Sequence, residues 1–288
     1  MDVPRLTARE RAQRALRRRM ERRPRYRGPP INRLIPNILT MLGLCAGMIA
    51  VRFAFEGRFG PAGAMIVTAA IIDGLDGRIA RLLKGTSHFG AEFDSLSDFL
   101  SFGVAPALVL YLWALQSVGP IFFLPCLIYA VALALRLARF NAALFEDPAK
   151  PATPKPLFAL AFFTGVPAPA AAGLVMFPLF ASLAFTEWEW HALAWAPRHP
   201  LFVVCVLLGV AALAGSTLPS WSFKRVKLQR GQVLPLLLGV VAYATLLVTE
   251  PWAALALAGL IYMAMMVLSW RQFRRLAAEH AAELRPVE

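Results

Sequence analysis

Charge is scarce in this sequence, and acidic charge is scarcer than basic. Only 16% of its 288 residues are Asp, Glu, Lys or Arg, and 17 of them are acidic. A water-soluble domain carries about 25% charged residues. The chain is 58% hydrophobic with a mean hydropathy of +0.59, so lipid is its solvent and soluble or disordered classes are excluded. Cysteine is also sparse. Cys45, Cys126 and Cys205 each fall inside an apolar run, without metal-ligand spacing. That excludes a disulfide framework and a zinc site, and it reads as three reduced, buried thiols. A cleaved secretory signal is missing too, because the first 30 or so residues are polar and arginine-rich where an apolar stretch would be needed. Asp2, Glu10 and Glu21, with little serine, argue against an organellar presequence. Most of the 22 prolines and 19 glycines interrupt apolar runs and do not indicate disorder.

Long hydrophobic runs are what the chain does have. Eight segments approach the roughly 20 residues that span a bilayer: 37–56, 61–83, 93–115, 119–141, 164–184, 200–219, 232–249 and 252–270. With eight crossings, one side holds 27 of the 30 Lys and Arg, and the other holds Arg52, Arg58 and Arg198. That asymmetry predicts both termini in the cytoplasm, with Trp188, Trp190 and Trp195 as an aromatic belt on the outer side. The expected fold is therefore all-α and polytopic. It comprises a basic N-terminal segment over 1–35, a membrane domain over 36–271 and a cytoplasmic tail over 272–288. Net charge is +13, and twelve arginines fall in the first 33 residues. Because the basic residues flank apolar spans, their partner is anionic lipid headgroups and not nucleic acid. The first segment reads equally as an interfacial helix and as a topology-setting tail. No internal repeat is visible.

The chemistry lies in two short stretches, Asp73-Gly-Leu-Asp76-Gly77-Arg-Ile-Ala80-Arg81 and Gly90-Ala-Glu-Phe-Asp94-Ser-Leu-Ser-Asp98. Spacings of three and four put each aspartate pair on one helix face. The short connection makes the two helices antiparallel neighbours, so four carboxylates converge near the cytoplasmic surface. One aspartate at a bilayer centre already costs about 2.5–3.5 kcal/mol. Arg78, Arg81 and Lys84 offset part of that charge. Oxygen-only ligands at this density suit one or two hard cations such as Mg2+ or Mn2+, and two such ions can clamp a phosphoryl group. Gly77 admits a substrate close to the backbone, and Gly90 and Ala80 let the helices pack tightly.

The pattern Asp73-x2-Asp76-Gly77-x2-Ala80-Arg81-x8-Gly90-x3-Asp94-x3-Asp98 resembles the CDP-alcohol phosphatidyltransferase signature at every fixed position. That family consists of helical membrane enzymes that cleave the pyrophosphate of a CDP-linked alcohol. The resemblance implies that Asp73, Asp76 and Asp94 hold metal, that Asp98 completes the site and serves as general base, and that Gly77 and Arg81 contact the CDP moiety. Within the family, the chain is most similar to the bacterial membrane-embedded branch that forms phosphatidylserine. The resemblance rests on Ile35-Pro36-Asn37-Ile-Leu-Thr40, Gly103-Val-Ala-Pro106, Leu135-Arg136-Leu-Ala-Arg139-Phe140-Asn141, Gly165-Val166-Pro167-Ala-Pro169 and Ser222-Phe-Lys224. Val166 and Trp221 stand where leucine and tyrosine are usual. The similarity runs from about residue 34 to 270.

What this implies is transfer of a phosphatidyl group from CDP-diacylglycerol to L-serine, releasing CMP, at a site facing the cytoplasm of a bacterial inner membrane. It also admits a homodimer. Other readings stay open at single residues. Asn37 and Thr40 suit a cap of span one or a nucleotide contact, and Gly90 is a further candidate for contact with CDP-diacylglycerol. Arg136 and Arg139 suit snorkelling or a grip on a phosphate or carboxylate. Lys224 suits a topology charge or an acceptor ligand, and Gly165-Val166-Pro167 a kink or a pocket wall. Two rival functions remain: the same chemistry with glycerol 3-phosphate, inositol phosphate or choline as acceptor, and a cation-coupled transporter.

Overall fold

The computed structural model describes residues 31–83, 87–144, 162–216, 219–221 and 230–283. Most of the basic N-terminal segment, Lys84, Ser222 and Lys224 lie outside the described residues. What is described is almost wholly helical.

Helix α1 spans Ile31–Phe55 and α2 spans Phe59–Leu82. Neither Asn37 nor Thr40 caps span one, because the helix begins before both. Gly57, at φ 71°, turns the chain between α1 and α2. The two helices pack against one another, and buried alanines run along both: Ala46, Ala50 and Ala54 on α1, and Ala62 and Ala69 on α2 with Ile66 between them. Without a hydrophobic drive between helices in lipid, such close small-residue contact is what holds them together.

The next span is continuous but irregular. Helix α3 (His88–Asp98) runs into a π-helical turn (Phe99–Val104), then α4 (Ala105–Leu110) and a second π-helical turn (Tyr111–Leu115). It is the most buried of the spans. The first π turn buries Ser101, Phe102 and Gly103. The fully buried Tyr129 donates its hydroxyl to the Phe102 carbonyl at 2.7 Å, satisfying a group inside that turn. Tyr129 lies on α5 (Leu124–Leu144), which follows a short 3-10 turn at Pro120–Phe123.

A two-stranded antiparallel ribbon, β1 (Phe162–Thr164) with β2 (Pro219–Trp221), brackets the next helices. These are α6 (Ala168–Val175), α7 (Phe177–Glu187), the single turn α8 (His191–Ala194) and α9 (Pro200–Gly215). Helices α6 and α7 form one apolar stretch bent by 47° at Met176, where Pro178 withholds a backbone donor. Helices α10 (Arg230–Thr249) and α11 (Pro251–Glu283) close the chain. The predicted tail from 272 thus continues α11 as far as Glu283.

Among the described residues, five helices are long and apolar enough to cross a membrane, or six if the bent pair counts as one span. Two further apolar helices, Pro200–Gly215 and Val233–Thr249, are shorter. The first, at 1.5 Å per residue, is about 24 Å long against a hydrocarbon core of about 30 Å. The outer surface is strongly apolar: Leu234, Leu237, Leu238, Val240 and Val241 on α10 are all exposed. Such a sheath suits lipid and not water. The cysteines partly correct the expectation. Cys126 is buried, but Cys45 and Cys205 are exposed on the sides of apolar helices. Hydrophobic surroundings in lipid do not require a place in the protein core.

Candidate active site

Asp73 and Asp76 sit in the last three turns of α2, and Asp94 and Asp98 in the second half of α3. Helix α3 starts at a well-made N-cap, where the Ser87 hydroxyl accepts the Gly90 N–H at 3.0 Å, a preferred way to satisfy an orphan helical donor. Helix α2 packs against the third span mainly beyond α3, at its later part, while α1 packs against both α2 and α3. The aspartate pairs meet directly, with α1 alongside both.

Carboxylate oxygens of Asp73, Asp76 and Asp94 all lie within 4.8 Å of one another. Oxygens bound to one hard cation at about 2.0–2.6 Å can be no more than about 5 Å apart, so these three fit a shared ion. Asp98 stands next to this trio, at hydrogen-bonding distance from Asp73. All four line a void of about 10 Å³ together with Thr40, Ser97 and Ser101. Asp76 is only 5% exposed. Among the described residues no ion pair reaches any of the four; the two salt bridges join Arg52 and Arg58 to Glu56. Arg78 and Arg81 are exposed and form no ion pair with the four among the described residues, although Arg81 borders the larger cavity beside Asp76 and Asp94. Uncompensated like charge in a poorly solvated pocket is costly, and a divalent cation is the natural counter-charge.

Directly beside this void lies a cavity of about 370 Å³. Asp76 and Asp94 face both spaces. Asn37, Thr40, Gly77, Arg81 and Gly90, from three helices, all line the larger one. A Cβ at Gly77 would meet nothing within 4 Å, so the backbone there borders open space. Gly90 is different. A Cβ there would come within 3.2 Å of Asn37 Oδ1, so its close neighbour is α1 and not Ala80 of α2. The buried Thr40 hydroxyl donates to Asp76 Oδ2 at 2.9 Å.

The two arginines of α5 part company. Arg139 is exposed and donates to the Gly215 carbonyl at 2.8 Å, capping the C-terminal end of α9. Arg136 is half-buried, lies within electrostatic reach of Asp98, and its Nε has no hydrogen-bond partner among the described residues. Gly165, at φ 76°, keeps the backbone beside it clear: its Cβ would lie 3.9 Å from Arg136 Nε.

Sequence reasoning gave no role to Ser97, whose hydroxyl donates to the Thr40 carbonyl at 3.2 Å. Nor did it assign one to Asn141, which accepts from Ser95 at 3.0 Å and so ties α5 to α3 beside Asp94. A serine in an apolar helix carries no signal of its own. Ser87 was given no role either, although a serine just before a helical stretch is a cap signal.

The profile of the CDP-alcohol phosphatidyltransferase family matches residues 33–197, and that of CDP-alcohol phosphatidyltransferase 2 matches residues 232–266. Among curated proteins, the CDP-diacylglycerol–serine O-phosphatidyltransferase of Mycobacterium bovis is 36% identical over 88% of this chain and 84% of its own length. The proteins of that name from Mycobacterium leprae (36% identical, 91% of this chain, 83% of theirs) and Helicobacter pylori (33%, 84% and 93%) are similarly related.

Proposed function

The chain belongs to the CDP-alcohol phosphatidyltransferase family, and on that premise we propose that it transfers a phosphatidyl group from CDP-diacylglycerol to L-serine, giving phosphatidylserine and CMP. Its relatives of 33–36% identity carry that activity in their names. The observation that carries the reading is one piece of geometry. Three carboxylates gather within 4.8 Å, and two of them, Asp76 and Asp94, open onto a cavity also lined by Asn37, Gly77, Arg81 and Gly90.

In this reading the CDP head occupies that cavity, with Gly77 giving it access to the α2 backbone and Arg81 facing its phosphates. Asp73, Asp76 and Asp94 hold Mg2+ or Mn2+, one ion or two, with Asp98 completing the set. Bound there, the cation would offset the pyrophosphate charge and the charge that develops on departing CMP. Asp98 takes the hydroxyl proton of serine as the serine oxygen bonds to the phosphatidyl phosphorus. The bond from that phosphorus to the oxygen of CMP breaks in the same displacement. A general base must lie within hydrogen-bond reach of the proton it accepts, and Asp98 lines the small void that adjoins the CDP cavity at Asp76 and Asp94. Arg136, with an unpartnered guanidinium nitrogen, is placed to grip the serine carboxylate, as planar guanidinium groups do. Arg139 already serves α9 and is the weaker candidate.

The wider arrangement follows. The protein is an integral membrane enzyme, with eight crossings once the bent α6–α7 pair and the two shorter apolar helices are counted. The Lys and Arg distribution supports a cytoplasmic side for both termini and the aspartate site, and the bacterial relatives support a bacterial inner membrane.

Purified protein in detergent should release CMP from CDP-diacylglycerol when given serine and Mn2+ or Mg2+, and chelator should abolish the release. Parallel reactions with glycerol 3-phosphate, inositol phosphate and choline should give none. Release with one of these instead of serine would keep the reaction and overturn the acceptor. A folded sample that releases no CMP with any of them would overturn the reaction itself.

A further inference from the structure

We propose that Thr40 is a positioning residue for the carboxylate site, because its side chain holds Asp76 on one aspartate helix while its backbone carbonyl holds Ser97 on the other. The inference rests on the reading that the aspartates bind a divalent cation. Thr40 carries no charge and is 6% exposed on α1, a helix that supplies no carboxylate to the cluster. Its hydroxyl lies 2.9 Å from Asp76 Oδ2 and 3.1 Å from the Pro36 carbonyl. A hydroxyl has a single proton to give. The Pro36 carbonyl is the regular i−4 acceptor for the Thr40 backbone N–H, and an ionised carboxylate is the stronger acceptor of the two. The proton therefore goes to Asp76. A carboxylate with one oxygen held presents the other in a fixed direction, which a ligand set needs.

The same residue is gripped from the opposite side. Ser97, 5% exposed and set between Asp94 and Asp98, donates to the Thr40 carbonyl at 3.2 Å. One turn further on, Ser101 donates to the Gly43 carbonyl at 3.3 Å. Beyond it Gly47 approaches so closely that a Cβ would sit 2.9 Å from the Ser101 Cα. This seam of α1 against the third span leaves little freedom for sliding. Thr40 is thus where the Asp73–Asp76 pair and the Asp94–Asp98 pair are referred to one another.

The test is a Mn2+ binding isotherm by electron paramagnetic resonance on substrate-free protein in detergent. It compares the unmodified chain with Thr40→Val, Thr40→Ser and Ser97→Ala. Outer-shell partners of metal ligands typically govern about 10–100-fold in affinity, so Thr40→Val should bind Mn2+ at least about tenfold more weakly. Thr40→Ser, which keeps the hydroxyl, should restore binding, and Ser97→Ala should weaken it. Normal Mn2+ binding by Thr40→Val, with a raised half-saturation for CDP-diacylglycerol, would make Thr40 a nucleotide contact and overturn the proposal. If Thr40→Val does not elute as a folded species, Ser97→Ala carries the same comparison, and unaltered Mn2+ binding there would refute the strut. An unmodified chain that binds no Mn2+ would instead remove the metal reading beneath it.

Discussion

Asp98 differs from its three companions in position and, on the proposed reaction, in duty. Asp73, Asp76 and Asp94 share a mutual 4.8 Å envelope, and Asp98 adjoins them at Asp73. Replacing Asp98 with Asn keeps the shape but removes the base. General-base catalysis is worth about 10²–10⁴-fold, so Asp98→Asn should lower CMP release by at least about 100-fold while Mn2+ still binds. Activity close to that of the unmodified enzyme would remove Asp98 from the chemistry. The two arginines of α5 make a paired prediction. Arg136→Lys should raise the serine concentration needed for half-maximal rate, by tenfold or more if a bidentate contact worth about 1.5–3 kcal/mol is lost. CDP-diacylglycerol saturation should not move. Arg139→Gln should leave serine saturation alone and lower thermal stability slightly, because a cation is lost from the end of α9. An exchange of these two phenotypes would reassign the acceptor site to Arg139.

At the level of elements, the site depends on how closely α1 approaches the third span. Gly47→Ala would push a methyl to 2.6 Å from Ser101 Oγ and 2.9 Å from its Cα. The second contact is with backbone, which cannot swing aside. Overpacking of this kind costs about 1–3 kcal/mol, and a detergent thermal melt should register it; an unchanged melting temperature would mean that the seam is looser than it looks. Sequence spacing made the aspartate geometry legible, since three- and four-residue intervals on helices allow few arrangements. The family resemblance pointed to Asn37, Thr40, Gly77, Arg81 and Gly90, which meet on one cavity. What neither could reveal was the role of α1 as the bridge between α2 and α3, because hydroxyl-to-carbonyl bonds such as Ser97 to Thr40 leave no periodic trace. The π-helical turn after Asp98 was equally invisible. Helix propensity does not distinguish such a turn from the regular helix on either side of it. The break at Met176 was signalled by Pro178 but submerged in a continuous apolar run.

For the molecule as a whole, the proposed topology predicts which faces water can reach. The free thiols of Cys45, Cys126 and Cys205 lie in apolar helices, so a membrane-impermeant maleimide should leave them unlabelled in intact cells. Added cysteines should behave oppositely to one another. Glu187→Cys, at the exposed end of α7 beside the Trp188–Trp190 cluster, should react from outside. Arg275→Cys, exposed on α11, should react only after the membrane is opened. Labelling of both from the same side would overturn the eight-crossing arrangement.

The depth of the carboxylates has a further consequence. Asp94 lies six residues into α3, and Asp73 nine residues before the end of α2, which at 1.5 Å per residue is about 9 Å and 13 Å along the helices. A phosphate anchored to two acyl chains reaches that level without leaving its leaflet, whereas serine must descend to it and CMP must climb away. On the proposed reaction the two products therefore part at the moment they form, one draining sideways into lipid and the other upward into water. That division of exits would keep the reverse encounter rare with no gate to enforce it.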